Sequence, residues 1–283
     1  MTETTLKNDL PRVEVNPQLS KLVRTLLIIA AVLALTLLVW QAIKAMFGLP
    51  ERTLPNVGDI LTAFTVPIQE GKPALGTLLF NAAVFTFREA VLGFFLGATI
   101  GFILAIVFAH SRLLERGVMP YVVASQTVPI LAIAPMVVIW LKADWLSVAV
   151  IAAYLTFFPV TINTLRGLQS ITPTSLELMQ SYAANRWQIL TKLRIPHAVP
   201  YIFTALKVSA TSSVVGAIIG ELPSGIQDGL GYQILNYSQY YIQGPPRLWA
   251  TILVAALAGM LAFLLVAIAE RIIVRWTPPE AKP

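Results

Sequence analysis

Ala90-Val-Leu-Gly-Phe-Phe-Leu-Gly-Ala-Thr-Ile-Gly-Phe-Ile-Leu-Ala-Ile-Val-Phe-Ala-His-Ser111 runs from Glu89 to Arg112 without a formal charge. As a helix it extends about 33 Å, against a bilayer hydrocarbon core of about 30 Å. It is apolar on every face, so it suits lipid or a protein interior and not the surface of a soluble domain. Four more stretches between charges read the same way: Thr25 to Gln41, Gly117 to Leu141, Trp145 to Leu165 and Leu248 to Ala269. A sixth, His197 to Gly220, is apolar apart from Lys207, and it supplies the even number of crossings that keeps the charge pattern below consistent. The expected fold class is therefore all-α, a polytopic membrane protein with about six transmembrane helices.

Composition agrees. Of 283 residues, 57% are hydrophobic and 12% charged, with mean hydropathy +0.74. Soluble domains carry roughly twice that charge. A net charge of +6 and a pI near 9.7 would suit nucleic acid in a soluble protein. Here the positions of the cations explain them better. With the N-terminus inside, 13 Lys and Arg fall on inside segments, 5 on outside segments, and Arg88 and Lys207 within helices. Positive residues collect on the cytoplasmic side, so both termini are expected in the cytoplasm and no nucleic-acid partner is implied. The absence of cysteine excludes disulfides and thiolate metal sites, and two histidines are too few for a histidine-based one. About 20 polar residues precede the first span and no A-x-A site follows, so a retained helix is expected and not a cleaved signal. The organisation follows: a cytoplasmic tail over 1–21, an N-terminal helix over 22–47, an outer loop over 48–80, a core over 81–276 and a tail over 277–283.

The longest inside connection, 166–196, carries the most information. Thr172 before Pro173 reads as an N-cap followed by proline at the first helical position. Leu176, Met179, Ala183, Trp187 and Leu190 recur at three- and four-residue steps, which predicts one amphipathic helix of nearly five turns. Gln180, Arg186 and Lys192 fall on its other face, and Pro196 and Pro200 are read as its end and the return to the membrane. Such a helix either lies on the bilayer surface or is offered to a soluble partner.

The loop resembles the "EAA" loop of ABC importer permeases, E-A-A-x3-G-x9-I-x-L-P. Aligned on Pro196, Glu177 takes the Glu position, Leu178 and Met179 the two alanines, Ala183 the glycine, Leu193 the Ile and Ile195 the Leu. Ser181 to Leu190, Pro196-His-Ala-Val-Pro200, Gln126 to Pro135, Phe158-Pro159 and Asp228-Gly-Leu-Gly231 resemble the nitrate, sulfonate, taurine and thiamine-precursor branch. The resemblance implies a type I importer fold, with five core helices behind one extra N-terminal helix. It also implies a multi-pass plasma (inner) membrane protein that dimerises with a second copy or a paralogue. Two cytoplasmic ATPase subunits and an extracytoplasmic solute-binding protein complete the assembly. No G-x-x-x-x-G-K-[ST] phosphate loop occurs in the chain, so no cofactor is expected on it and ATP is expected on the partner. Coupling to that partner would fall to Leu176, Glu177, Met179, Ala183, Ala184, Arg186, Trp187 and Pro196. Glu177 also suits a helix N-terminus on purely local grounds.

Polar groups inside spans cost free energy, about 2.5–3.5 kcal/mol for a central Lys or Arg on insertion scales. Candidates for a substrate pathway are therefore Gln126, Thr127 and Pro129, which interrupt the third span, with Lys207, Ser209, Ser212, Ser213 and Glu221. Each has a plainer reading: a packing kink for the first three, snorkelling or a helix contact for Lys207, bonding within or between helices for the three serines, and a solvated helix end for Glu221. Arg88 and Glu89 are expected at the outer end of the second span. An ion-driven secondary transporter, the competing class, would favour paired acids within spans and two-fold repeats. The substrate stays open between a sulfonate- or nitrate-like anion and a flat heterocycle such as a pyrimidine. Tyr232, Tyr237, Tyr240 and Tyr241 in the last outer loop suit stacking on the latter.

The charge pattern makes a direct prediction. In intact cells, an impermeant thiol reagent should label a cysteine placed at Ser238 and spare one placed at Ser181. The reverse pattern would overturn the topology.

Overall fold

The structure, a computed structural model, describes residues 17–68, 71, 73–142 and 144–274. Of the expected tails, residues 1–16 and 277–283 lie outside the described residues. The chain divides into two compact units, Met1–Val57 and Gly58–Pro283.

In the first unit, helix α1 (Pro17–Phe47) begins earlier than residue 22 and is long and apolar enough to span. The chain after it folds back on its last turns. Trp40 Nε1 donates to the Pro55 carbonyl at 3.1 Å, and Lys44 Nζ reaches Glu51 Oε1 at 2.5 Å and Asn56 Oδ1 at 2.7 Å.

The second unit begins with a short helix, α2 (Val57–Ala63). It continues with α3 (Leu75–His110), α4 (Arg112–Ser125), α5 (Ile130–Trp140) and α6 (Trp145–Gln169). Then come α7 (Pro173–Ser181), α8 (Arg186–Ile189), a π turn over Leu190–Arg194 and α9 (Ile195–Ser224). The unit ends with α10 (Leu230–Gln239) and α11 (Pro245–Ile273). Four of these stretches are long and apolar enough to cross a bilayer: α3, α6, Arg186–Ser224 and α11. With α1 they make five, and α4 with α5 makes a sixth if that bent pair is one span.

One sequence expectation needs correction, and another gains its geometry. Helix α3 does not begin near Ala90 but at Leu75, so Glu89 lies well inside it, 3% exposed. The interruption of the third span expected at Gln126, Thr127 and Pro129 is a sharp break, with α4 and α5 meeting at 95° across Gln126–Pro129. Pro129 has no amide hydrogen to continue a helix and disfavours helical backbone before it. The hydroxyl of Tyr154 on α6 donates to the Ser125 carbonyl, satisfying an acceptor that the break frees.

Helix α6 is the centre of the second unit, packed chiefly against α3 and α9. Bare backbone makes this possible. Gly93, Gly97 and Gly101 of α3 recur every four residues on one face. A β-carbon at Gly97 would stand 2.4 Å from the Ala153 carbonyl oxygen and 2.6 Å from Thr156 Cβ; at Gly93 it would meet Ala152 Cβ at 2.4 Å. From α9, a β-carbon at Gly216 would meet Ala152 Cα at 2.7 Å, and one at Gly220 would meet Val148 Cα at 3.1 Å. Lipid is as apolar as leucine, so helices in a bilayer associate by close van der Waals packing, which small residues permit. Buried hydroxyls return their protons to backbone: Thr156 to Ala152, Thr161 to Phe157, and Ser209 across to the Thr156 carbonyl at 3.3 Å.

This packing predicts opposite signs for the same substitution at two helical glycines. Gly97→Ala should destabilise the purified protein by about 1–3 kcal/mol through overpacking. Gly117→Ala, with nothing within 4 Å of the new β-carbon, should be neutral or stabilising by up to about 1 kcal/mol. Thermal midpoints in one detergent check this, and equal midpoints would contradict the close α3–α6 packing.

Candidate functional site

The loop 166–196 is built from two capped helices and not from one. Thr172 Oγ1 accepts from Ser175 N–H at 3.3 Å with Pro173 at the first helical position, as the sequence predicts. Helix α7 then stops at Ser181. Ala183 takes φ 52°, in the left-handed region; its N–H donates to Gln180 O at 2.8 Å, and Ala184 N–H donates to Met179 O at 3.0 Å. These two bonds form a Schellman ending, in which the left-handed position favours glycine. The chain restarts at once. Asn185 Oδ1 accepts from Gln188 N–H at 2.9 Å, and Gln188 Oε1 accepts from Asn185 N–H at 2.8 Å. This reciprocal capping box opens α8.

The five-turn stripe is therefore interrupted at its middle. Leu176 and Gln180, predicted on opposite faces, line one groove with Ala109, Leu190 and Arg194. Met179 is half-buried, and Leu190 is packed into a cluster with Phe108, Leu165, Leu168 and Ala198. The large side chains that stand free are Leu178, Tyr182 and Trp187, which are 57%, 77% and 68% exposed. Glu177, Ala183 and Arg186 are exposed beside them, and Ala184 is half-buried. Trp187 leans on His110, ring centroids 5.9 Å apart, and Arg194 Nη1 donates to the Ala109 carbonyl at 2.8 Å. Pro196 does not end a helix. It follows directly on the π turn near the start of α9, and Arg186–Ser224 runs on through it as one long helical stretch.

At the other end of α9 the structure gathers a group that sequence reasoning largely missed. Glu221, read as a pathway residue or a solvated helix end, is 1% exposed. Its Oε2 accepts from Gly231 N–H at 2.5 Å. Thr86 Oγ1 accepts from Leu230 N–H at 2.8 Å, so α3 and α9 together hold the first amides of α10. Glu89 lies against Glu221, and both of its oxygens are buried without a hydrogen-bond partner. A β-carbon at Gly229 would fall 2.2 Å from Glu221 Cδ, and one at Gly231 would fall 2.3 Å from the Ile218 carbonyl oxygen. The Asp228-Gly-Leu-Gly231 signal is thus a cradle for one carboxyl group. Further along α10, burial pushes the Tyr237 hydroxyl above its ordinary pKa, against the opposing pull of Arg247.

The remaining pathway candidates separate. Lys207 Nζ pairs with Glu270 Oε2 of α11 at 2.6 Å. Ser209 and Ser213 are buried in helix packing, while Ser212 is half-buried. At the α4–α5 break, Thr127 and Pro129 are exposed, and Gln126 Nε2 is buried without a partner.

Residues 97–277 match the family described as "Binding-protein-dependent transport system inner membrane component". The chain belongs to that family. Among its relatives, the riboflavin transport system permease protein RibX of Chloroflexus aurantiacus is 31% identical over 274 residues, 96% of this chain and 99% of that one. The formylaminopyrimidine transport permease protein ThiX of Halalkalibacterium halodurans is 30% identical over 240 residues, 85% and 92% of the two chains. The putative aliphatic sulfonates transport permease protein SsuC of Bacillus subtilis is 28% identical over 243 residues, 86% and 85%. A bacterial ABC transporter involved in the import of the acidic polysaccharide alginate shares the fold at TM-score 0.56 and 19% identity, over 91% of this chain and all of that one. This chain is thus a multi-pass permease subunit of an ABC importer, in a family that works with an ATPase and a binding protein.

The alignment with the EAA pattern now has a physical content. Ala183 occupies the glycine position, and that position is the left-handed residue closing α7. An L-residue there costs about 1–2 kcal/mol, which the greater unfolded-state freedom of glycine partly offsets. Ala183→Gly should therefore slow amide exchange over 173–190 by up to about fivefold, and Ala183→Val should hasten it. Faster exchange in Ala183→Gly would contradict the left-handed turn.

Proposed function

We propose that two permease chains and two ATPases form this importer, with both chain termini and the 166–196 loop in the cytoplasm. The ATPase contact is the face formed by Leu178, Tyr182 and Trp187, flanked by Glu177, Ala183, Ala184 and Arg186. The observation that carries this reading is the exposure of three large apolar side chains on a short, doubly capped segment. Leu176 and Met179, by contrast, are half-buried. The left-handed turn presents the end of α7 and the start of α8 together, which a single straight helix would not do. Pro196 serves by opening α9 directly behind that segment.

The proposed cargo is a flat nitrogen heterocycle, delivered by a binding protein. Support comes from the relatives named for riboflavin and formylaminopyrimidine, the first of which aligns over nearly the whole chain. Along the route, Gln126 offers an unpartnered amide N–H₂ and Thr127 and Ser212 offer hydroxyls, with Pro129 setting the break. Lys207, Ser209, Ser213 and Glu221 hold the helices around the route in register. The secondary-transporter reading has no support from the comparisons.

One set of purifications tests the contact. Leu178→Asp should cost the ATPase tenfold or more in affinity, since a buried unpaired charge costs several kcal/mol. Tyr240→Asp, on the proposed outer side, should retain it. Equal retention of the ATPase would sink the assignment. In the same preparations, riboflavin or an aminopyrimidine should compete for uptake where an alkanesulfonate does not, and the opposite order would reassign the cargo.

A further inference from the structure

Three arginines converge beside α7, and among the described residues none of them is within ion-pair distance of an acid. Arg112 and Arg116 stand one turn apart at the start of α4, and Arg194 closes the π turn. With Gln169 and Thr172 they line a cleft of about 580 Å³. The carboxylate in this cleft, Glu115, accepts from Gln169 Nε2 at 3.1 Å and is within ion-pair distance of none of the three. Arg194 Nε is buried without a partner, although its Nη1 holds the Ala109 carbonyl. Guanidinium groups left unpaired around a cleft suit an oxyanion, which they bind through paired N–H donors.

A second observation narrows the ligand. From Arg116 a shallow groove leads along α4 past Met119, Pro120, Val123 and Ala124, and beyond Glu115 and Arg116 it is apolar. Exposed Leu113, Val118 and Tyr121 lie on the same helix, so α4 carries cations at one end and bare apolar surface over the rest. A soluble anion would fill the cleft and leave the groove empty. A molecule with a phosphate at one end and a hydrocarbon chain behind it would occupy both. We propose that this cleft and groove bind an anionic phospholipid, its phosphate between Arg112 and Arg116 and an acyl chain along Met119–Ala124. The inference rests on the transmembrane reading, but neither on the ATPase contact nor on the cargo, and its assay reads lipid binding alone. If the loop is cytoplasmic, the site faces the leaflet where anionic lipids attract basic clusters.

The test is native mass spectrometry of the delipidated full-length chain, titrated separately with phosphatidylglycerol, phosphatidylcholine of the same acyl chains, and inorganic phosphate. The expected result is one saturable phosphatidylglycerol per chain, bound on the order of tenfold tighter than phosphatidylcholine. Arg112→Gln with Arg116→Gln should erase that preference, and Lys192→Gln, an exposed charge outside the cleft, should keep it. Val123→Glu should weaken phosphatidylglycerol while leaving both arginines in place, so the proposal stands or falls even if the double variant aggregates. Equal binding of the two lipids, or an unchanged double variant, would overturn it. So would arginine-dependent binding of inorganic phosphate without a preference for the lipid. A double variant that changes oligomeric state and not lipid binding would make the cleft a contact between copies, and would overturn it too.

Discussion

Backbone against backbone at helix α6 is the constraint on which the second unit depends. Glycines of both α3 and α9 reach it, most of them at separations under 3.0 Å that a β-carbon could not take up without a shift. In water, burying large side chains would hold such helices together; in lipid that force is missing, and contact area at short range takes its place. Short range in turn requires small residues, so Ala149, Ala152 and Ala153 of α6 face the glycine stripes, and buried Thr and Ser supply the polar atoms. A hydroxyl there must find an acceptor at once, and the backbone carbonyl one turn back is nearest. The same reason explains why the polar residues of α9 split between roles. Ser209 faces α6 and serves packing, and Lys207 faces α11 and requires Glu270.

Spans were legible because charges delimit them, and they failed where a charge was not a boundary. Glu89 looked like the outer edge of a helix. It lies inside one, against Glu221, because α10 folds back over both and Gly229 leaves room for the carboxyl. That arrangement joins residues far apart in sequence, and no local pattern announces it. The glycine repeat Gly93, Gly97, Gly101 was visible as a small-residue pattern of known meaning, yet it adds nothing to hydropathy and so escaped a reading based on hydropathy. The break at Gln126–Pro129 was legible in its proline but not in its angle, nor in the bond by which Tyr154, 29 residues on, reaches the Ser125 carbonyl beside it.

The loop shows how one substitution can hide a turn. With glycine at position 183 the ending of α7 would have been plain. Alanine there preserves helical periodicity through a residue whose backbone is left-handed, so the apolar spacing across it is coincidental. The restart was written in Asn185 and Gln188, a capping box without Ser, Thr or Glu. The consequence is functional: residues that periodicity places on one face are divided between an inner groove and an outer surface.

Helix α9 joins these regions. At one end it runs back through the π turn into α8, so the segment bearing Trp187 is continuous with a membrane-spanning element. A π turn is a costly irregularity that tends to persist at functional positions. Along its length α9 is fixed to α6 by Gly216 and Ser209 and to α11 by Lys207. At its far end Glu221 grips the first turn of α10. A stretch of 39 residues, Arg186–Ser224, spans about 58 Å if straight. In the proposed assembly, a push on the loop by a closing ATPase has no flexible linker in which to dissipate before it reaches α10. The close contacts with α6 make independent sliding costly, so α3, α6 and α9 are constrained to move together. Differential motion is left to the bent α4–α5 pair, which is held by fewer contacts and carries the unpartnered amide of Gln126.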